Sequence, residues 1–389
     1  MKFIHTADWH LGRLFHSVHL TDDQRFVLQG LLRLAEDRQV DAVVVAGDIF
    51  DRAVPPTEAV DLLDDTVATL ALDLRIPVVM IAGNHDSPAR LEYFSGLARR
   101  ANVYVVGRVG VKPRPAEIAG ANGMNVRFWP LAYTDPESAR FELSRDDIHS
   151  HEAAIQAQLE AMDSRSVAGS PGTREVLLAH AFVVGGRESE SERPLTVGGS
   201  GAVSLSLFER FDYVALGHLH EPQSVGDKVR YSGSLLKYSF DEADQRKSVS
   251  LVELGPDGVA SVEEVELPVR RDVRQLRGDL AEVLSLKVDE ALAEAYVEVI
   301  LTDSEPVLNP LDRLRKAFPH ILSVRREESA FSPAGPRAAS AGLAVRSVTD
   351  LFAEFFQEVR GEPLNDPQRR ELATAVDDLE RRRREVSVS

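Results

Sequence analysis

The chain has 389 residues, 43% hydrophobic and 28% charged, an ordinary globular composition with length for one large domain and at least one smaller one. It has no cysteine, which excludes disulfides, thiolate zinc sites, iron–sulfur clusters and cysteine nucleophiles; any metal must be held by oxygen and imidazole. The net charge of −17 argues at first sight against a nucleic-acid partner, but it is uneven: residues 1–268 hold 26 basic and 40 acidic side chains, residues 269–389 hold 19 and 22.

The opening residues MKFIHTADWH lack signal-peptide architecture, and no apolar run reaches the length of a membrane span, so a cytoplasmic protein is expected. Short β-branched or aliphatic runs at Phe3–Ala7, Ala42–Ala46, Pro77–Ala82, Val176–Ala179 and Tyr213–Leu216 predict buried strands. Between them the patterns predict helices over Thr21–Arg38, Thr57–Leu72 and Pro88–Arg100, which makes this part an α/β domain. Lys228–Tyr231, Lys247–Leu254 and Val259–Leu267 read as antiparallel strands, the last two joined by Gly255-Pro256-Asp257-Gly258. A small α/β unit follows, with a helix near Val273–Leu284, a strand at Tyr296–Leu301, a helix at Pro310–Phe318 and a strand at Ile321–Arg325. The expected boundaries are 1–268, 269–330, a Pro-, Ala-, Gly- and Ser-rich linker at 331–346, and a helical segment at 347–389.

The chemistry lies in what ends each strand. In chain order these are Asp8-Trp9-His10, Gly47-Asp48, Gly83-Asn84-His85-Asp86, His180 and Gly217-His218-Leu219-His220, which take five of the 11 histidines. Ligands of α/β sheets gather beyond the carboxyl ends of strands. Residues i and i+2 of an extended segment face one side, so both His218 and His220 can meet one site. Imidazole, carboxylate and amide oxygen form a set suited to Mn²⁺, Fe²⁺ or Zn²⁺, and two such cations sharing a carboxylate can clamp a phosphate. Singly, Gly-Asp or Asn-His-Asp after a strand is often a helix cap, and a lone His180 a core residue. The ordered conjunction points to a metal centre.

That ordered set resembles the calcineurin-like metallophosphoesterase superfamily over roughly residues 1–268. Thr6-Ala7-Asp8-Trp9-His10-Leu11-Gly12, Gly47-Asp48-Ile49-Phe50-Asp51, Gly83-Asn84-His85-Asp86-Ser87 and Ser232-Gly233-Ser234 are similar to the branch of bacterial nuclease subunits that work with an SMC-like ATPase. The resemblance implies a layered α/β/β/α sandwich with a small α/β capping domain and a C-terminal helical tail. It implies one Mn²⁺ on Asp8, His10 and His220, a second on Asn84, His180 and His218, and Asp48 bridging them, with Mg²⁺ or another divalent cation able to substitute. His85 is implied to contact the scissile phosphate, and Asp86, by adjacency, is expected to orient His85. Asp51 falls where relatives place a polar residue near the site.

The implied activity is metal-dependent DNA exonuclease and endonuclease action on ends and hairpins, ATP-dependent on duplex DNA with the partner ATPase. The alternative is a metal-dependent phosphatase or cyclic-nucleotide phosphodiesterase on the same fold; the extra α/β unit and tail favour DNA. Arg270, Arg271, Arg274 and Arg277 cluster at the entry to the 269–330 unit, which is expected to cap the site and steer duplex ends. Val60, Leu63, Val67 and Leu70, and then Leu91, Phe94 and Leu97, make apolar stripes expected to pack on the domain's own sheet. In the family, helices of this region form a dimer contact, so a homodimer is implied. In the tail, Val348, Leu351, Phe352, Phe355, Phe356 and Val359 make a wide apolar helix face, and the resemblance implies that it docks on the base of the ATPase coiled coil. Arg13 and His16 are read as a solvated loop in preference to a DNA-phosphate contact, and Glu188–Arg193 as a plain charged loop in preference to a border of the substrate groove.

Overall fold

The computed structural model describes residues 1–109, 114–163, 173–192, 195 and 201–327, with 356, 364, 365, 368, 369 and 372 beyond them. The chain divides into Met1–Glu327 and Glu328–Ser389. The expected linker and, apart from those few positions, the tail helices lie outside the described residues.

Two six-stranded sheets carry the first unit. In one, the strands Lys2–Thr6, Ala42–Val45, Val78–Ile81 and Val103–Val106 run parallel. Val249–Gly255 adds antiparallel to Lys2–Thr6, and Gly258–Val265 closes that edge as a hairpin. In the other, Asn125–Leu131, Arg174–His180, Tyr213–Gly217 and Val229–Tyr231 run parallel, flanked by antiparallel Ala116–Ala119 and Gln223–Ser224.

Strands buried on both faces explain the uninterrupted apolar runs. Alternation sends Phe3, Val44 and Val79 into a core shared with Phe128, Val176 and Tyr213 of the facing sheet. Ile4, Val43 and Val45 face the helices Thr21–Asp37 and Thr57–Ala68 instead. On the far side, Leu177, Val214 and Leu216 pack under Ile155, Leu159 and Met162 of the helix His151–Asp163. The layers run helix, sheet, sheet, helix, which is the α/β/β/α sandwich. His5 links the sheets: its ring nitrogens lie 2.9 Å from the Tyr213 hydroxyl and 3.1 Å from the Leu216 carbonyl.

Four expectations need correction. Val229–Tyr231 is not antiparallel with Val249–Gly255; it joins the second sheet in parallel with Tyr213–Gly217, because the chain crosses back to Lys2–Thr6 before pairing again. Residues Val273–Gly278 form a strand, not a helix, in parallel register with Tyr296–Leu301. The apolar spacing that mimicked one helix spans two elements, divided at Gly278 and Asp279; Asp279 and Glu282 form a capping box that starts the helix Leu280–Ser285. Ile321–Arg326 completes this three-stranded parallel sheet over its own core of Leu280, Val299, Leu314 and Phe318. The helix expected over Pro88–Arg100 is broken at Phe94, which is left-handed (φ 58°) and starts a second short helix, Ser95–Ala98. Consequently only Leu91 packs inward, while Phe94 and Leu97 join Tyr93 and Val60 among the exposed apolar side chains. Among the described residues no helix is long and apolar enough to cross a membrane.

Candidate metal centre

The site is built by loops leaving the carboxyl ends of strands from both sheets. Their backbone is strained. Asp8 (φ 51°), His10 (φ 44°), Asp48 (φ 48°) and His218 (φ 108°) all have positive φ, a conformation that costs a non-glycine residue about 1–3 kcal/mol and clusters at functional sites. The strain is held by a ladder between neighbouring loops: the N–H groups of Asp8, His10 and Leu11 donate to the carbonyls of Gly47, Asp48 and Ile49 at 2.9–3.0 Å. Close approach also requires glycine. A Cβ on Gly83 would lie 2.1 Å from Asp48 Oδ1, and one on Gly47 (φ +94°) 2.4 Å from His180 Nδ1.

These loops bring Asp8, His10, Asp48, Asn84, His180, His218 and His220 together, with His85 beside them. Ligand-capable atoms of Asp8, His10 and His220 lie within 4.8 Å of one another, as do those of Asp8, Asp48 and His180, and those of His10, Asp51 and His85. Asp48 stands between the histidines of the two sheets: Oδ2 is 3.6 Å from His10 Nε2 and Oδ1 is 3.6 Å from His180 Nε2. Asn84 Oδ1 lies 2.8 Å from His180 Nε2. The His218 ring is 5.4 Å from that of His180, and its backbone N–H donates to the Asp8 carboxylate at 3.0 Å. His180 Nδ1 is engaged by the Ala46 carbonyl at 2.9 Å, which turns Nε2 toward the site.

The electrostatics of this pocket suit a divalent cation. Burial and the Asp48 carboxylate push Asp8 well above the usual carboxylate range. Burial, then the neighbouring histidines, hold His10 and His218 well below the usual imidazole value, and burial lowers His180 as well. Neutral imidazoles and crowded carboxylates are the donor forms a hard-to-borderline metal takes. His218 Nε2 and His10 Nδ1 are buried without a hydrogen-bond partner. His10 Nε2 and His220 Nε2 face each other at 3.1 Å, a separation that needs a proton or a cation between them. The residues present therefore fit a metal site.

One expected role changes. The Asp86 carboxylate does not touch the His85 ring; it accepts from the backbone N–H groups of Ile49, Phe50 and Gly83 at 2.9–3.0 Å, tying two loops of the site together. Burial and the Asp48 charge raise its pKa to about 7. His85 is oriented instead by the Asp51 carbonyl, 2.8 Å from Nδ1, while its backbone N–H donates to Asp48 Oδ1 at 2.9 Å. Asp51 pairs through its side chain with Arg13 at 2.8 Å and faces the unpartnered His10 Nδ1 at 3.8 Å, so Arg13 is not a free loop cation.

Several contributors carry no signal in the sequence reading. Glu242 and Lys247 are buried behind His220, and Glu192 accepts from the His220 N–H at 2.7 Å, so the stretch expected to be a plain loop reaches the centre through Glu192. Ser234 N–H donates to the His220 carbonyl at 3.1 Å, which gives the quoted Ser232-Gly233-Ser234 turn a structural task. For Glu242 and Lys247 the sequence offers only a mostly polar stretch, broken by Ala243, just before a buried strand.

The chain belongs to the calcineurin-like phosphoesterases: residues 1–222 match the model of that family. Residues 269–360 match a second model, SbcD_C, described as the type 5 capsule protein repressor C-terminal domain. The SbcD component of the SbcCD nuclease of Staphylococcus epidermidis is 32% identical over 325 residues, spanning 83% of this chain and 85% of that one. Together these make it a hydrolytic nuclease of the SbcD type. Among solved structures, TT1561 of Thermus thermophilus aligns at 14% identity with a TM-score of 0.39, and a dimetal phosphatase from Danio rerio at 12% and 0.38. Each covers 69% of this chain and 99% of the other, and neither adds to the assignment.

Proposed function

We propose that the chain is a two-metal DNA nuclease, with exonuclease and endonuclease action on ends and hairpins, that works in repair, recombination and replication with an SbcC-type SMC-like ATPase. The observation that carries it is the cluster at the strand ends, in which Asp48 presents one oxygen to each of two histidine groups. In this reading Asp8, His10 and His220 hold one Mn²⁺, Asn84, His180 and His218 hold the other, and Asp48 bridges. When bound, such a pair supplies charge neutralisation at the phosphate and an activated water for in-line attack. The protein's own part is to fix the donors on strained loops and to aim His85. With Nδ1 engaged by the Asp51 carbonyl, His85 Nε2 is the free nitrogen at the pocket; as imidazolium it donates to the phosphate and to the departing sugar oxygen.

The 269–330 unit is proposed to cap the site and guide duplex DNA. Its four entry arginines are paired, Arg270 with Asp22, Arg271 with Glu294, Arg274 with Asp272 and Arg277 with Glu327. Such pairs, three of them well exposed, contribute about 0–1 kcal/mol each, so exchange for DNA phosphates costs little. The exposed Tyr93, Phe94 and Leu97 support a homodimer, and the apolar tail sequence supports docking on the ATPase, with a cytoplasmic location. The test is cleavage of duplex, single-stranded and hairpin DNA with Mn²⁺, alone and with the ATPase and ATP. Metal-dependent cleavage of hairpins, stimulated by ATP on duplex ends, is expected. Hydrolysis of a small phosphodiester with no cleavage of any DNA would favour the phosphodiesterase alternative instead.

A further inference from the structure

His220 sits in front of a buried polar relay whose hydrogen-bond directions are fixed by its far end. Glu242 is fully buried, and Lys247 Nζ lies 2.5 Å from its Oε2. The Tyr238 backbone N–H donates to the same oxygen at 3.2 Å. A carboxylate facing an ammonium can only accept. The Ser191 hydroxyl, bonded to Glu242 Oε1, must therefore be the donor of that bond. Having spent its one proton there, Ser191 Oγ is an acceptor toward His220 Nδ1, 2.6 Å away. Nδ1 must then carry the ring proton, which leaves the lone pair on Nε2, the nitrogen that faces His10 Nε2 at 3.1 Å. Lys247 clamps the backbone as well, donating to the His220 carbonyl at 2.8 Å.

We propose that Glu242, balanced by Lys247 and reaching His220 Nδ1 both through Ser191 and directly at 3.4 Å, is a positioning residue that fixes the tautomer and aim of His220. This rests on the reading of His220 as a metal ligand and adds the group that makes its Nε2 available. A ligand histidine whose other nitrogen loses its outer partner typically binds its metal 10–100-fold more weakly. The relay joins two segments far apart in sequence, the 188–192 loop and the 237–247 stretch, so it also fastens that loop to the centre.

The experiment titrates Mn²⁺ into the metal-free full-length protein by calorimetry, with thermal melting in parallel. Ser191→Ala should weaken one of the two Mn²⁺ sites 10–100-fold while the metal-free melting temperature stays put. Ser191→Thr, which keeps the hydroxyl, should restore affinity. Glu242→Gln strands a buried lysine and risks unfolding, so Glu242→Gln is paired with Lys247→Met; this double variant should fold and show the same selective weakening. Wild-type affinity in both Ser191→Ala and the double variant, with one site lost in His220→Ala, would overturn the relay and leave His220 a ligand. Two intact sites in His220→Ala would instead refute the ligand reading, and the relay with it.

Discussion

Replacing His85 with alanine separates catalysis from metal binding. Among the described residues the His85 side chain has one hydrogen-bond partner, the Asp51 carbonyl at 2.8 Å, and its Nε2 is 3.9 Å from Asp48 Oδ2. The bond that steadies Asp48 comes from the His85 backbone N–H, 2.9 Å from Oδ1, and survives the substitution. His85→Ala should therefore keep both cations. In its proposed role it would lose a general acid and a charge contact to the phosphate, worth about 10²–10⁴ in rate, or roughly 2.7–5.4 kcal/mol of barrier. Leaving the Asp51 carbonyl unpaired costs about 1–3 kcal/mol of stability. The assay pairs kcat for Mn²⁺-dependent hydrolysis of a chromogenic phosphodiester with elemental analysis of the same sample. His85 also shares a candidate donor group with His10 and Asp51, and a His85→Ala protein that has lost a cation would make His85 a ligand and refute its proposed role.

Gly83→Ala puts a Cβ 2.1 Å from Asp48 Oδ1, so it should displace that carboxylate, destabilise the fold by about 1–3 kcal/mol and lower Mn²⁺ content; unchanged melting and metal content would count against the tight loop contact. Burial holds the His5 imidazole at a pKa of about 3, against some 6.5 when unfolded. The folded state thus takes up fewer protons between those values, and stability, whole above pH 6.5, falls by about 1.4 kcal/mol per unit as pH drops toward 3. His5→Gln should flatten that acid slope relative to wild type in pH-dependent melts; an identical slope would assign it to other groups. Deleting residues 345–389 should spare Mn²⁺-dependent activity of the isolated protein and abolish co-purification with the SbcC-type ATPase, whereas undiminished binding would place the docking surface elsewhere.

Much of the site is legible in the sequence because parallel strands buried on both faces leave continuous β-branched runs, and Asp8, Asp48, Asn84, His180 and His218 stand directly where those runs stop. The same runs mark an α/β domain, whereas the layered sandwich is what the family resemblance implies. What stays hidden depends on three-dimensional meeting rather than on period. Glu242 and Lys247 reach His220 from the segment that follows the Ser232–Ser234 turn, and nothing in their spacing announces it. Asp86 is adjacent to His85 in sequence, yet its carboxylate points back to the Ile49 and Phe50 amides, because three backbone donors converge there. Val273–Gly278 reads as helix since Val273, Leu276, Leu280 and Val283 fall on one helical face; pairing with Tyr296–Leu301 overrides that pattern. Phe94 adopts a left-handed backbone that no periodicity anticipates, which turns an expected core stripe outward.

The bridging place proposed for Asp48 is open to direct measurement by Mn²⁺ titration followed by electron paramagnetic resonance. Binding of two Mn²⁺ per chain, with the spectrum of an exchange-coupled pair that reverts to isolated ions or is lost in Asp48→Asn, is the expected outcome. One uncoupled Mn²⁺ per chain, or a coupled pair that survives Asp48→Asn unchanged, would contradict the two-cation centre.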